Sequence, residues 1–589
     1  MMQNMLLPIL GAAVILWLWG KLRADIVGIA ALFTLAVLGF IPAPDVFSGF
    51  SHPAVITLAA MMVLGYALHH CGALDMLSRL LSALGHDPLV FVLLLSFYTV
   101  VLTSFLGYHI ALVIILPFAV QLSGKRGIHP SRVLMPLAFA SILGGFTTLW
   151  ASPSNIYVSF FRQDTIGKSF GVWEYFPLGL ILALAGVLFI TATAWLLLPG
   201  RHKKKQVEDE LTIEDFITEV KVLRESLLAG SSLRKIMQNA AYEVTVIGLV
   251  RKKLLLEVID PDEELMPEDI LIIEADSENL RTFMDYTRAK LIGGRRFHKD
   301  AQGARNISMQ EVVVLPDSGL VGKSAAEINL RSRYGINLLA VSRAGRKTIG
   351  RVGKSRFRTG DVLLIQGRTQ ILPEVISAMG CLPLQERGFQ VADMRCTVAS
   401  LLTFILSIVA ASLGWIPIPI ALSLAALLMV IFRVISPRDL YQSINWSAVV
   451  LMATLIPIAH TLQSSGVALK LAAMFMSWTH SLSPLFILGL VMASAMLLAN
   501  LINPIVSSVL LSPIVILIAQ SSTHIIDPYL MALAFGSTAS FLNPKSNMAN
   551  TLVMSLGGYR IWDFWRMGLP LQILILLLGT PLLYWYYLI

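Results

Sequence analysis

The chain has 589 residues, 56% of them hydrophobic and only 14% charged, with a mean hydropathy of +0.73. No soluble globular domain needs that much apolar surface, so composition excludes that class and specifies a polytopic α-helical membrane protein. The net charge of +9 fits basic cytoplasmic loops better than a nucleic-acid surface, and three scattered cysteines (Cys71, Cys381, Cys396) suggest neither a disulfide framework nor a metal site.

In chain order, apolar spans fall near 5–19, 24–41, 54–70, 88–122, 131–159 and 173–198. Met1–Trp19 lacks a basic n-region and a small-residue cleavage site, so it reads as a retained first helix. The segment 88–122 is too long for one crossing. A hydrophilic block fills 200–394, and spans resume near 397–413, 416–432, 447–463, 483–520, 528–555 and 569–588. The halves carry the same elements in the same order. Their most informative pair is Leu137–Ser159 and Leu533–Ser555, where Leu137, Ala138, Phe139, Ser141 and Ser159 meet Leu533, Ala534, Phe535, Ser537 and Ser555 without a gap. Each is an apolar helix pattern broken by Gly, Pro, Ser, Thr and Asn. Broken backbone at membrane depth is tolerable only inside protein or beside water, and a matched pair of breaks points to a transporter's binding site.

Basic loops set the orientation. Lys21, Arg23, Arg79, Lys125, Arg126 and the run Arg201–Lys205 lie together in the cytoplasm only if 88–122 enters and leaves on that side, as a re-entrant hairpin with its tip at Leu106–His109. Arg395, Arg433, Arg438, Arg560 and Arg566 place the second hairpin, 483–520, on the opposite face, its tip within Asn500–Ser508. Two such halves form an inverted-topology repeat with both termini outside the cytoplasm. The amphipathic pieces Leu74–Leu84 and Val467–Trp478 are expected along the interface.

The block 200–394 alternates β-rich runs (Glu243–Val250, Asp269–Glu274, Glu311–Leu315, Gly335–Val341, Asp361–Gln366) with helical pieces, the pattern of a soluble α/β module. It repeats at an offset of 92: Glu219, Gly230, Tyr242, Arg251 and Asp269 recur as Glu311, Gly322, Tyr334, Arg343 and Asp361. Neither copy holds a P-loop or a GxGxxG at a strand–helix junction. The chain divides into a first membrane repeat (1–199), two soluble domains (200–298 with its linker, and 299–394) and a second membrane repeat (395–589).

The run Leu143–Asn155, LGGFTTLWASPSN, and the stretch Gly557–Pro570, GGYRIWDFWRMGLP, resemble the divalent anion/sodium symporter family. The two-half plan is similar to the branch carrying two TrkA-C domains between its membrane halves. The resemblance implies a homodimer in which a scaffold holds two elevator-like transport units. It also implies small oxyanion or carboxylate substrates, commonly sulfate, with sodium as the usual coupling ion. The hairpin tips depart from the family's Ser-Asn-Thr or Asn-Asn-Thr, being Gly107-Tyr108-His109 and Asn503-Pro504-Ile505. In the second break the neutral Pro-x-x-x-x-Thr-Asn run becomes Pro544-Lys545-Ser546-Asn547-Met548-Ala549-Asn550. Sodium dependence and substrate therefore do not transfer directly.

An oxyanion needs hydrogen-bond donors and positive potential. The candidate substrate-binding residues are Thr147, Thr148, Ser152, Ser154 and Asn155 in the first break, with Asn503, Asn543, Lys545, Ser546, Asn547 and Asn550 in the second half. The same residue types also serve as helix-packing glue. Lys545 has two readings: its ammonium stands in for one sodium ion and attracts the anion, or it snorkels to the cytoplasmic surface. His109 reads first as a neutral imidazole bonded to a carbonyl at the hairpin tip, and second as an anion-binding or proton-carrying group. His69, His70 and His460 lie near helix ends.

No catalytic triad, metal cluster, paired carboxylates or resident cofactor is indicated, so the chain does not read as an enzyme. Secondary active transport of sulfate, a similar oxyanion or a dicarboxylate across an inner membrane fits best, with sodium or a proton as coupling ion. The soluble domains would face the cytoplasm and take a small regulatory ligand. Competing readings are a transport-deficient sensor of anion or sulfur status and a gated channel.

Overall fold

The computed structural model describes residues 2–20, 22–71, 87–126, 128–198 and 394–588. Between them it describes 217–232, 245–251, 254–256, 264–274, 283–284, 286–287, 289–292, 307–315, 318–328, 330, 334, 336–343, 346–347, 356–368 and 371–384.

Helices α1 (Met2–Trp19), α2 (Ala24–Val37) and α3 (Pro53–His70) open the first half. Pro53 sits at the first helical position of α3, where a missing N–H costs nothing, and His52 Nδ1 caps the helix by accepting from Ala54 N at 3.2 Å. Next come α4 (Pro88–Leu106) and α5 (Tyr108–Lys125), packed on each other across Gly107 alone. Gly107 has φ 80°, a conformation that strains any residue with a Cβ, so one glycine makes the turn. The hairpin expected at 88–122 is therefore present, with its tip where the sequence placed it. Helices α6 (Leu134–Gly144), α7 (Pro153–Ile166) and α8 (Phe176–Leu197) complete the half. At ~1.5 Å per residue, α6 and α7 are each too short to cross a ~30 Å hydrocarbon layer alone.

The soluble block forms two small five-stranded antiparallel sheets. Strands β1 (Ile217–Lys221), β2 (Thr245–Arg251), β3 (Leu254–Leu256), β4 (Ile270–Glu274) and β5 (Lys290–Ile292) lie in the order β3-β2-β4-β1-β5. Strands β6 (Ile307–Val314), β7 (Asn337–Arg343), β8 (Arg346–Lys347), β9 (Val362–Arg368) and β10 (Cys381–Pro383) take the equivalent order β8-β7-β9-β6-β10, with α9 (Ala325–Ile328) and α10 (Leu372–Ala378) beside them. The offset of 92 survives in detail. Register shifts fall at Val246/Gly248 and at Leu338/Ala340. Arg251 bonds Asp269 at 2.8 Å and the Glu264 carbonyl; Arg343 bonds Asp361 at 2.7 Å and the Arg356 carbonyl. Ser226 and Ser318 each donate to a carbonyl 61 residues on, Thr287 and Met379. The strands β1, β3, β5, β8 and β10 escaped the sequence reading; all but β1 have only two or three residues, too few for an alternation to show. Each sheet has its own apolar core, but Leu315, Leu382 and Leu384 of the second also pack against the membrane core.

The second half comprises α11 (Met394–Ser412), α12 (Ile418–Ile431), a short α13 (Pro437–Gln442), α14 (Trp446–Ser464), α15 (Val467–Thr479), α16 (Pro484–Leu501), α17 (Pro504–Ser522), α18 (Asp527–Thr538), α19 (Met548–Leu556) and α20 (Ile561–Leu588). Helices α4 and α16 begin 396 residues apart, at Pro88 and Pro484, and so do α5 and α17, at Tyr108 and Pro504. The halves interlock: α3 packs on α12, and α14 packs on α2. The start of each broken helix is held by the end of the other. Arg162 at the end of α7 bonds Asp527 at 2.7 and 2.8 Å; the Tyr559 hydroxyl, just past α19, donates to Ser131 O and accepts from Met135 N. Seven helices among the described residues (α3, α4, α8, α14, α16, α17 and α20) are long and apolar enough to cross a membrane.

Two expectations need correction or limits. Cys71 and Cys396 form a disulfide with a Cα–Cα distance of 5.6 Å, although 325 residues separate them. Distance along the chain says nothing about distance in space once α3 and α11 meet. Val467–Trp478 is helical, within α15, whereas Leu74–Leu84 lies outside the described residues.

Candidate functional site

Both breaks are stretches of helix end, extended chain and new helix start. In the first, α6 ends at Gly144, Thr148 and Ser152 are extended, and Pro153 opens α7. In the second, α18 ends at Thr538, Ala539 (φ −74°, ψ 63°) leaves the helix, and Met548 opens α19. Each break therefore presents a helix N-terminus, with its partial positive charge and spare amides.

The breaks meet. Ser152 Oγ and Thr538 Oγ1 lie 2.9 Å apart, and Ser154 Oγ donates to the carbonyl of Pro504, at the second hairpin tip, at 3.1 Å. A Cβ on Gly145 would sit 2.9 Å from Thr538 Cγ2, so the two stretches approach this closely because that residue has no side chain. Helix α7 packs on α17 and α18, and α19 packs on α5 and α6. Each half's second half-helix thus lies against the other half's hairpin and first half-helix. Phe146 and Phe535 close the apolar side, ring centroids 5.5 Å apart.

Most donors are already committed. Thr147 Oγ1 donates to Gly144 O and lies 2.6 Å from Ser104 Oγ; Thr148 Oγ1 and Trp150 Nε1 both donate to Ser104 O. Asn155 Nδ2 bonds the carbonyls of Gly145 and Thr148 at 2.8 and 2.9 Å. In the second break, Asn547 Nδ2 bonds Ser540 Oγ at 2.7 Å, Asn550 Nδ2 bonds Ser540 O at 2.9 Å, and Ser546 Oγ bonds Asn543 O. Asn543 Oδ1 holds the backbone amide of Lys545, Asn503 Oδ1 caps α17 at Ile505 N, and Asn503 Nδ2 reaches Ser546 O at 3.5 Å.

Two side-chain amide oxygens of the breaks remain. Asn155 Oδ1 and Asn550 Oδ1 are buried and without a hydrogen-bond partner among the described residues. Unpaired amide carbonyls in a dry site are costly alone and are suited to a hard cation such as sodium. Lys545 is the charged residue of the second break, and its side chain is exposed while most of its neighbours there are buried. His109 Nδ1 is buried without a hydrogen-bond partner among the described residues, and its ring centroid lies 3.9 Å from that of Tyr108; a Cβ on the neighbouring Gly107 would meet the carbonyls of Trp150 and Ala151.

The structure adds supports that the sequence reading had not assigned. Ser104 and Asn500 lie 396 residues apart, each three residues before the last tip turn, and each ties its hairpin to its own break. Asn500 accepts from Leu542 N at 2.8 Å and donates to Ala539 O at 3.3 Å, where Gln572 Nε2 also donates at 2.6 Å. The constant register was the signal that could have found them. Asn500→Leu leaves the Leu542 amide buried and unpaired, and thermal unfolding should show a loss of about 1–3 kcal/mol.

Two interrupted helices that meet in a buried polar seam, each backed by a hairpin, form the centre of this chain. The chain belongs to the citrate transporter family, whose profile matches residues 14–536. It is similar to a Synechocystis protein named as a transporter, 29% identical over 98% of this chain and 96% of that protein. A Chlamydomonas reinhardtii protein named for the response to sulfur deprivation is 24% identical over 96% of this chain and 99% of its own length. The sodium/sulfate cotransporter 2 of the same alga is 24% identical over 58% of this chain and 41% of its own length.

Proposed function

We propose that the chain is a secondary active transporter of a small divalent anion, sulfate before dicarboxylates, driven by sodium. The observation that carries this is the matched pair Asn155 and Asn550. Each spends its Nδ2 on the backbone of its own break and leaves Oδ1 unpaired and buried. Two such carbonyls suit sodium, and the likeness to a sodium/sulfate cotransporter favours the same pairing. The anion would sit between the helix N-termini, with Lys545 supplying the positive charge. Interlocked halves and cross-half packing support inverted repeats moving as one elevator-like unit within a homodimer. On this reading the TrkA-C-like sheets face the cytoplasm of an inner-membrane protein and take a small regulatory ligand.

Initial rates of labelled sulfate uptake into proteoliposomes test this. Replacing sodium by choline should slow uptake at least ~10-fold, and Lys545→Met should raise the KM for sulfate by ~10-fold, the equivalent of about 1.4 kcal/mol. Uptake indifferent to sodium would remove the coupling, and an unchanged KM would leave Lys545 as a surface cation. A second reading is favoured by the full-length likeness to the sulfur-deprivation protein: a transporter-like shell that senses rather than moves the anion. Saturable sulfate binding with no flux would select it.

A further inference from the structure

We propose that Cys71 and Cys396 form a reversible thiol–disulfide pair that locks the entry of the second membrane half to helix α3; this rests on the cytoplasmic orientation adopted above. Cys71 caps the C-terminus of α3 and is 4% exposed, while Cys396 is half-buried in the first turn of α11. The bond is reinforced by Thr397 Oγ1, which donates to Cys71 O at 2.7 Å. Two features make the joint consequential. Upstream of α11, the second sheet rests on the membrane core through Leu315, Leu382 and Leu384, so α11 is where the soluble block enters the membrane. Six residues before Cys71, Gly65 lies against the first hairpin tip, where a Cβ would meet Leu106 O at 3.4 Å. The bond thus joins the block's exit to the helix on which that hairpin is seated.

Arg395, next to Cys396 in the sequence, assigns this end to the cytoplasmic side by the same rule of basic loops. There, thiol pools keep ordinary cysteines reduced, and a disulfide that forms is transient or redox-sensing. Half-buried Cys396 Sγ is the sulfur an incoming thiolate reaches. Attack forms a mixed disulfide on Cys396 and expels Cys71 as a thiolate, which takes up a proton; a second thiol then releases Cys396. Overall two small thiols become one small disulfide. In the reverse direction a small-molecule disulfide is reduced to two thiols while the pair is oxidised. Cys381 stays outside this chemistry: burial in the second sheet pushes its thiol up to about 12, so little thiolate is present.

The test traps thiols in acid in cells making the full chain, then alkylates the denatured protein with a mass-tagged maleimide. Of the chain's three cysteines, all carry a tag when the pair is reduced and only Cys381 when it is oxidised. The expected result is three tags in untreated cells, one after dithiodipyridine, and three again after dithiothreitol. Amide exchange in residues 394–398 of the purified protein should be at least ~10-fold faster in the reduced form. One tag under every condition makes the bond a permanent structural link, and three throughout means that it does not form. Either result, or exchange indifferent to oxidation, overturns the proposal. Neither readout requires transport, so absent sulfate flux would sink the function while leaving this pair standing.

Discussion

Asn155→Leu is expected to cut sodium-driven sulfate uptake at least ~100-fold, and Asn550→Leu to do the same. Leucine matches asparagine in size, so the effect isolates the amide. In the first break the change leaves Gly145 O without its 2.8 Å donor and Thr148 O with only the long 3.4 Å bond from Ala151 N, and it removes the unpaired Oδ1 itself. Roughly 1–3 kcal/mol per orphaned group, concentrated at the site, is enough for a ~100-fold loss at about 1.4 kcal/mol per tenfold. Asn155→Asp separates the two roles. It keeps an oxygen and adds a charge but loses the donor, so half-saturation for sodium should fall while the maximal rate drops. Initial rates at varied sodium, normalised to reconstituted protein, read both. Equal losses with unchanged sodium dependence would make Asn155 a brace for the backbone alone.

The second large effect lies in the soluble block. Arg343→Met should destabilise the second sheet by about 3–5 kcal/mol, because Asp361 is 1% exposed and, among the described residues, would keep the Arg358 amide alone as partner. Asp361 holds the Arg343 guanidinium above its ordinary value by hydrogen bonding, outweighing the opposing pull of burial. A raised value in a base gives stabilisation that is complete below the unfolded value and lost only above the folded one, so no loss is expected anywhere in the physiological range. Hydrogen exchange should show β7 and β9 losing protection while β2 and β4, which belong to a separate core, keep theirs. Arg343→Met combined with Asp361→Leu should recover most of the loss.

These two sites also show what the sequence could convey. The membrane helices were legible because lipid demands long apolar runs, and the hairpin tip at Gly107 because a glycine between two such runs has few other uses. The register of 396 paired the breaks, and the register of 92 matched Arg251 with Arg343 and Asp269 with Asp361, while the bond within each Arg–Asp pair came only from the fold. What stayed hidden depended on the third dimension. The Cys71–Cys396 bond joins helices that only the fold brings together, and Asn500 looks like any amide near a helix end. Which oxygens remain unpaired cannot be read from residue types, since Thr147, Thr148 and Asn155 were all expected as donors to substrate and spend those donors on backbone instead.

The central claim is concentrative movement of an anion through the seam between the two breaks. The most direct measurement is labelled sulfate inside sealed proteoliposomes that start with equal sulfate on both sides and an inward sodium gradient. Internal sulfate rising several-fold above external, then collapsing when the sodium gradient is dissipated, is the predicted result. Internal sulfate that never exceeds the external level, with or without sodium, would contradict it.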